Sequence, residues 1–345
     1  RAALLYSAQD LRLEDVPTAL PAPDEVQIRP RASGICGSDM HYYQNGKNGP
    51  YPILSGHPLI LGHEACGDVV AVGSDVTSIK VGDRVVVEPQ VACRKCNHCK
   101  EGTYNLCTKL KFIGSASIFP PIGGSLQQIY NRPADSVYLM PEDMSYIEGA
   151  MIEPTSVAIH AIRRSGLRAG QSVIIVGAGA VGLLCASIAK FSGASKIGMI
   201  DIDQSRLEFA KKKGMADHIF TMPLKGQEGE SKPDFAARIG QEILQHPGFD
   251  RANVVFDCTG IDTCVNTCIE VCASGGKVVL VGLGTPVQNI NIGGAGVREI
   301  DLLGLWRYTN TFDTAIEMVK SGRLDLKQLV THTYDLEKAA DALKL

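Results

Sequence analysis

The sequence predicts an α/β protein: a doubly wound parallel sheet joined to a second, β-rich domain. Three observations lead there. The β-branched run Val173-Ile174-Ile175-Val176 feeds straight into Gly177-Ala178-Gly179-Ala180-Val181-Gly182, the pattern of a buried parallel strand turning sharply into a helix. A second apolar run, Ile197 to Ile200, ends in Asp201, roughly 20 residues past the glycines, where a ribose-binding acid belongs. Strand-like and helix-like segments alternate from Ser156 to Gly294, whereas Leu4 to Gln90 reads as short strands punctuated by Gly and Pro, the marks of a separate β domain.

Bulk properties narrow the function classes. The 345 residues carry 34 Lys and Arg against 37 Asp and Glu, a formal net charge of −3. Such a length fits two domains. No basic excess is available to meet a polyphosphate backbone or an anionic bilayer, so neither nucleic acid nor membrane is expected as a partner. No apolar run approaches the ~20 residues that span a bilayer, and Arg1 to Tyr6 does not make a signal peptide. A cytoplasmic protein is expected. Eleven cysteines are present, and metal-type spacing in an intracellular protein favours metal over disulfides.

Within the β-rich part, Glu25-Val26-Gln27-Ile28-Arg29 and Asp68-Val69-Val70-Ala71-Val72 alternate as half-buried strands do. Cys36 follows the first, and His63 and Glu64 precede the second; Glu153 comes later, before Pro154. Cys, His and Glu are the ligand types of a catalytic zinc that keeps one position open. Taken singly, Cys36 also suits a small core residue, His63 a satisfied buried histidine, and Glu153 a helix-end charge. Pro154 is placed to be the first residue of a helix running to about Arg164, whose dipole would keep Glu153 ionised.

Cys93, Cys96, Cys99 and Cys107 form a C-x2-C-x2-C-x7-C lobe at about residues 90–110. Three thiolates converge from one loop and the fourth closes a tetrahedron, which reads as structural zinc with no open position. An iron–sulfur cluster would favour a shorter last gap followed by Pro; here Thr108 follows. Arg94, Lys95, Lys100, Lys109 and Lys111 are close enough in sequence to offset the thiolate charge.

In the α/β part the expected strands are Val173–Val176, Lys196–Ile200, Ile219–Thr221, Val254–Asp257 and Lys277–Val281, with a helix from about Val181 to Phe191. Gly177 permits the tight turn, Gly179 lets the backbone approach a pyrophosphate, and Gly182 lets the helix pack on the strand. The expected cofactor contacts are these three, Val181 and Asp201, with Thr259, Val281 and Gly282 at later strand ends. Leu224 to Asp250 is polar and poorly patterned, expected as a helix with long surface loops. Cys264, Cys268 and Cys272 share one face of a helix; buried apolar thiols are the preferred reading. An amphipathic helix is expected over Thr311–Ser321. The domains expected are 1–155 with 296–345, and 156–295.

Taken together, the motifs G-I-C-G-S-D-x-H at Gly34–His41, G-H-E at Gly62–Glu64, G-D-R-V at Gly82–Val85, the four-cysteine lobe, I-E-P at Ile152–Pro154 and G-A-G-x-V-G at Gly177–Gly182 make the chain resemble the zinc-dependent medium-chain alcohol dehydrogenases. Within them it is similar to the polyol (sorbitol, xylitol, arabinitol) dehydrogenases, notably over V-R-E-I-D-L-L-G-L-W-R-Y at Val297–Tyr308; threonine dehydrogenases share several motifs. The resemblance implies a Rossmann NAD-binding domain plus a GroES-like catalytic domain, and a homotetramer. It implies a catalytic zinc held by Cys36, His63 and a glutamate, with either Glu64 or Glu153 binding directly. Ser38 matches the family's proton-relay hydroxyl and His41 extends it toward solvent. Asp201 should bind the adenosine-ribose hydroxyls, with Arg206 lining the same pocket; its charge favours NAD over NADP. A polyol substrate would meet Tyr42, Phe112, Arg307 and Tyr308. Sorbitol dehydrogenases of animals generally lack the intact four-cysteine lobe, which leaves the polyol open.

Overall fold

The computed structural model describes residues 1–345, which divide into two compact units, Arg1–Ser156 with Thr309–Leu345 and Val157–Tyr308. The first is built on a five-stranded antiparallel sheet in the order Tyr130–Pro133, Glu25–Gly34, Glu64–Val72, Arg84–Val87, Val137–Leu139. Alternation works as the sequence implies: Val26, Ile28, Val69, Val85 and Val87 are buried together in one apolar cluster. The pairing of Glu25–Gly34 with Glu64–Val72 slips twice, between Gln27 and Ile28 and between Pro30 and Ala32. Proline has no N–H to give a ladder, so a bulge there is expected. After the two slips Gly34 lies opposite Glu64. That register brings Cys36, just past one strand end, to His63, just before the other strand begins.

The second unit is a six-stranded parallel sheet in the order His218–Thr221, Lys196–Asp201, Ser172–Val176, Ala252–Asp257, Cys272–Leu280, Asp301–Gly304. Strand order reverses between Ser172–Val176 and Ala252–Asp257, the switch point at whose carboxyl ends such sheets bind ligands. The sixth strand departs from the expected boundary at 296. Asp301–Gly304 pairs in parallel with Lys277–Leu280, so the chain leaves this unit only at Thr309. A four-residue strand lacks the length to show a period, and nothing local marks it as part of this sheet.

Three smaller expectations are corrected by packing. The helix expected within Leu224–Asp250 is present as Lys232–Gln245, but its pattern is regular and not poor: Phe235, Ile239 and Ile243 enter the main core of the unit. Cys264 and Cys268 are buried helical residues, but the helix ends at Val271 and Cys272 opens the next strand; all three thiols lie in that apolar core. Pro154 sits inside the first turn of helix Ile152–Ser165 rather than at its first position, where its missing N–H is still one of the unbonded ones.

Candidate active site

Cys36 precedes helix Gly37–Asn45 as its N-cap, and the carboxylate of Asp39, three residues on, accepts the Cys36 N–H at 2.9 Å. The second Asp39 oxygen accepts the Gly62 N–H at 3.1 Å and lies 3.6 Å from Nδ1 of His63. Asp39, 1% exposed, thus ties the two strand ends together and stands beside the imidazole, whose buried Nδ1 makes no hydrogen bond to it. Sequence reading passed over this residue. Its signal was the capping spacing from Cys36 to Asp39, which is visible only once a helix is assigned there.

The donor atoms of Cys36, His63 and Glu64 all lie within 4.8 Å of one another. Glu64 and Glu153 are buried. Gly34 leaves no space for another side chain, since a Cβ there would stand 2.0 Å from Oε2 of Glu64. Burial of the thiol pushes Cys36 up to about 11, with the Asp39 and Glu153 carboxylates pushing the same way. Burial also drives Glu64 well above the usual carboxylate range, Cys36 and Glu153 adding to it. A buried cluster of one thiol, one imidazole and surrounding carboxylates that resists its own ionisation is one a divalent cation fits. Glu153 stands outside the three-donor group yet near enough to act on the charge of two of its members.

Ser38 lies in the first turn of helix Gly37–Asn45 and works against the upward push on the Cys36 thiol, and His41 is exposed on the same helix. The Phe112 ring is 5.2 Å from the His63 ring, which places an apolar wall beside the donors. Tyr42 differs from its expected place in a substrate pocket. It is 1% exposed, packed with Leu5, Leu59 and Leu61, and its hydroxyl accepts the Ala116 N–H at 2.9 Å. Arg307 and Tyr308 close the other unit; Arg307 stacks over Trp306 at 4.8 Å and Tyr308 is buried.

The four-cysteine lobe is closed on itself. Sγ of Cys99 is 3.9 Å from that of Cys93 and 3.5 Å from that of Cys96. Cys93 N–H and Lys109 N–H both donate to Sγ of Cys107 at 3.4 Å. Backbone donors from Lys95 and Cys96 bring the Cys93 thiol down to about 6, and the Cys99 N–H lowers Cys96. Cys99 is pushed up to about 12 by burial and by its neighbouring thiols. Thiols that share amide donors and crowd one another suit a tetrahedral cation, and all eleven cysteines are free. Arg94, expected to offset thiolate charge, is engaged with Asp135 at 3.0 Å.

In the second unit Gly177 has φ 104, a Cβ on Gly182 would stand 1.8 Å from the Gly177 carbonyl oxygen, and Gly179 faces open space. Gly179 caps helix Ala180–Phe191 without any side-chain cap, so Val181 and its neighbours present first-turn amides as an anion site does. Asp201 accepts the Ala178 N–H at 2.5 Å. Arg206 lies on the next helix, Gln204–Lys212, 3.5 Å from Asp203. Asp257, read in the sequence only as a strand end, is fully buried; it accepts the Thr259 hydroxyl at 2.6 Å and the Gly260 N–H at 3.0 Å. Val281 N–H donates to the Asp257 carbonyl at 2.8 Å, and a Cβ on Gly282 would stand 2.2 Å from the Gly260 nitrogen. These residues fit a dinucleotide whose pyrophosphate lies over the glycine turn.

Residues 22–142 match the family model of the alcohol dehydrogenase GroES-like domain, and residues 180–321 that of the zinc-binding dehydrogenases. Sorbitol dehydrogenase of Gallus gallus is 40% identical over 343 residues, which cover 99% of this chain and 92% of that relative. A relative from Aspergillus terreus named "Probable D-xylulose reductase A" is 40% identical, with 99% and 93% covered. Among solved structures, 2R,3R-butanediol dehydrogenase from Bacillus subtilis superposes with a TM-score of 0.83 at 28% identity, covering 99% of this chain and 94% of that one. Family models spanning both units, together with relatives alike from end to end, show that the chain belongs to the zinc-binding dehydrogenase family with a GroES-like domain, a family of oxidoreductases.

Proposed function

We propose that this protein is an NAD-dependent zinc polyol dehydrogenase that oxidises a secondary hydroxyl of a sugar alcohol, such as sorbitol, xylitol or L-arabinitol, to the ketose. The carrying observation is the convergence of Cys36, His63 and Glu64 within 4.8 Å, in a chain 40% identical to a sorbitol dehydrogenase. Cys36, His63 and Glu64 hold the catalytic zinc, and Glu153 tunes their charge. Zinc when bound supplies Lewis-acid stabilisation of an alkoxide, and NAD when bound takes up the hydride. Ser38 receives the hydroxyl proton and His41 hands it to solvent. Phe112 forms the apolar wall beside the donors, and the guanidinium of Arg307 has the hydrogen-bond donors that further hydroxyls of a polyol call for. Cys93, Cys96, Cys99 and Cys107 hold a structural zinc.

Gly177, Gly179, Val181 and Gly182 cradle the pyrophosphate; Asp201 and Arg206 take the adenosine ribose; Thr259, Val281 and Gly282 border the nicotinamide half. The protein works in the cytoplasm as a homotetramer. Free thiols favour a reducing compartment. Val287 and Val297, 88% and 86% exposed, favour burial in an assembly, as does the unpaired outer edge of Asp301–Gly304.

The test is NADH formation from NAD⁺ with xylitol, D-sorbitol, L-arabinitol, galactitol, L-threonine and ethanol, each repeated with NADP⁺. Turnover of one or more polyols with NAD⁺ is the expected result. Turnover confined to L-threonine or ethanol would sink the polyol assignment, and a preference for NADP⁺ would overturn the role given to Asp201.

A further inference from the structure

We propose that the four-cysteine lobe positions Arg307: Gly102 and Tyr104 anchor the segment that follows Arg307, and so hold that residue in the backbone conformation it needs to serve a polyol. The inference rests on the role given to Arg307 above.

Three hydrogen bonds tie the lobe to Thr309 and Asn310. The Gly102 carbonyl accepts the Thr309 hydroxyl at 2.7 Å and Nδ2 of Asn310 at 2.9 Å, and the Tyr104 hydroxyl accepts the Asn310 N–H at 3.0 Å. Each anchor is one backbone bond from a thiol-bearing residue. The Gly102 N–H donates to the Cys99 carbonyl at 3.3 Å, and the Cys107 N–H to the Tyr104 carbonyl at 3.0 Å. A second hold lies just beyond: Phe312 stacks on Tyr138 at 5.1 Å, and the Tyr138 hydroxyl donates to Glu88 at 2.8 Å.

The backbone explains why the anchor matters. Arg307 and Asn310 both have φ 52, in the left-handed region that residues with a β-carbon seldom occupy. Asparagine tolerates it; arginine stays there only where its surroundings impose it. Ahead of Arg307, Asp301–Gly304 is fixed by pairing with Lys277–Leu280. Behind it, Thr309 and Asn310 are fixed by the lobe. With that second end released, Arg307 relaxes toward negative φ and its guanidinium is displaced. The lobe has too little apolar surface to keep its shape alone, so a metal on its four thiols is what makes the anchor firm.

The experiment uses the zinc-loaded full chain as wild type, Thr309→Val, Tyr104→Phe, Cys107→Ser, Arg307→Ala and Thr309→Val/Arg307→Ala. Three quantities are measured: zinc content, hydrogen exchange over residues 305–312 by mass spectrometry, and polyol KM and kcat. T309V and Y104F each remove one anchoring bond and should keep both zincs. Exchange over 305–312 should quicken about fivefold in each, the worth of one hydrogen bond. Polyol KM should rise about fivefold, with kcat within about twofold of the wild type. C107S should quicken exchange over 305–312 at least as much. In the R307A background T309V should add nothing to KM, since its effect passes through Arg307. Unchanged exchange in T309V and Y104F, or in C107S, overturns the proposal; so does a rise in KM that T309V still produces without Arg307. Absence of polyol turnover in the wild type would instead bring down the function assigned above, and this inference with it.

Discussion

The candidate metal cluster of Cys36, His63 and Glu64 depends on contacts one residue deep. The Glu64 carboxylate fills the space a Cβ on Gly34 would need, and His63 lies 3.6 Å from a carboxylate that also pins two backbone amides. Replacing Asp39 with Asn keeps the shape and removes the charge beside Nδ1. Zinc affinity at the catalytic site should fall about 10- to 100-fold, as for other partners of metal-bound histidines, with the lobe zinc retained in a chelator competition. The titration behaviour leads to a second expectation. Cys36 is held protonated up to about 11 and Glu64 is raised too, so the chelated protein must release protons to bind zinc. Affinity should therefore rise with pH between about 6 and 8 by at least about one decade per unit. A flat profile would remove Cys36 from the ligand set. The sign for stability is opposite. Raised acid pKa values favour the metal-free fold at low pH and lose that benefit as pH rises, so the melting gap between zinc-loaded and chelated protein should widen toward pH 8.

At the scale of elements, the lobe and the core helix each offer one measurement. The four-cysteine lobe consists of a four-residue helix, a short 3-10 turn and loops, too little apolar surface to stand without a cross-link. Cys107→Ser should release about one zinc per chain by elemental analysis and lower the melting temperature. Retention of both zincs would place the second metal elsewhere. Helix Lys232–Gln245 buries Phe235 and Ile239 against the parallel sheet. Phe235→Ala should destabilise by about 3–5 kcal/mol in denaturant unfolding, whereas a helix exposed on every face would lose almost nothing.

The whole molecule divides its labour between two units, one carrying the metal donors and the other the glycine turn. Cys36→Ser should abolish polyol turnover while leaving NADH binding within about threefold of the wild type, since the donor cluster and the glycine turn fall in different units. Parallel loss of both would indicate misfolding and not a missing ligand. NADH at about a hundred times its dissociation constant should stabilise the protein by about 2.7 kcal/mol, measurable by calorimetry in C36S and wild type alike.

Features written within a short length of chain were legible in the residues alone. The glycine turn, Asp201 and the Cys93–Cys107 spacing are local, because one loop or one strand–helix–strand unit supplies every group. The candidate metal donors Cys36, His63 and Glu64 were named from residue type and motif, but their meeting was decided by tertiary structure. Two bulges set the register that puts Gly34 against Glu64, and a bulge's effect on a partner strand is not written in either strand by itself. Asp39 and Asp257 act through backbone amides of segments remote from them or folded back on them. The sixth strand at Asp301–Gly304 exists because Lys277–Leu280 offers it an edge. Long-range pairing of this kind depends on what else the chain has already placed, and only the folded molecule specifies it.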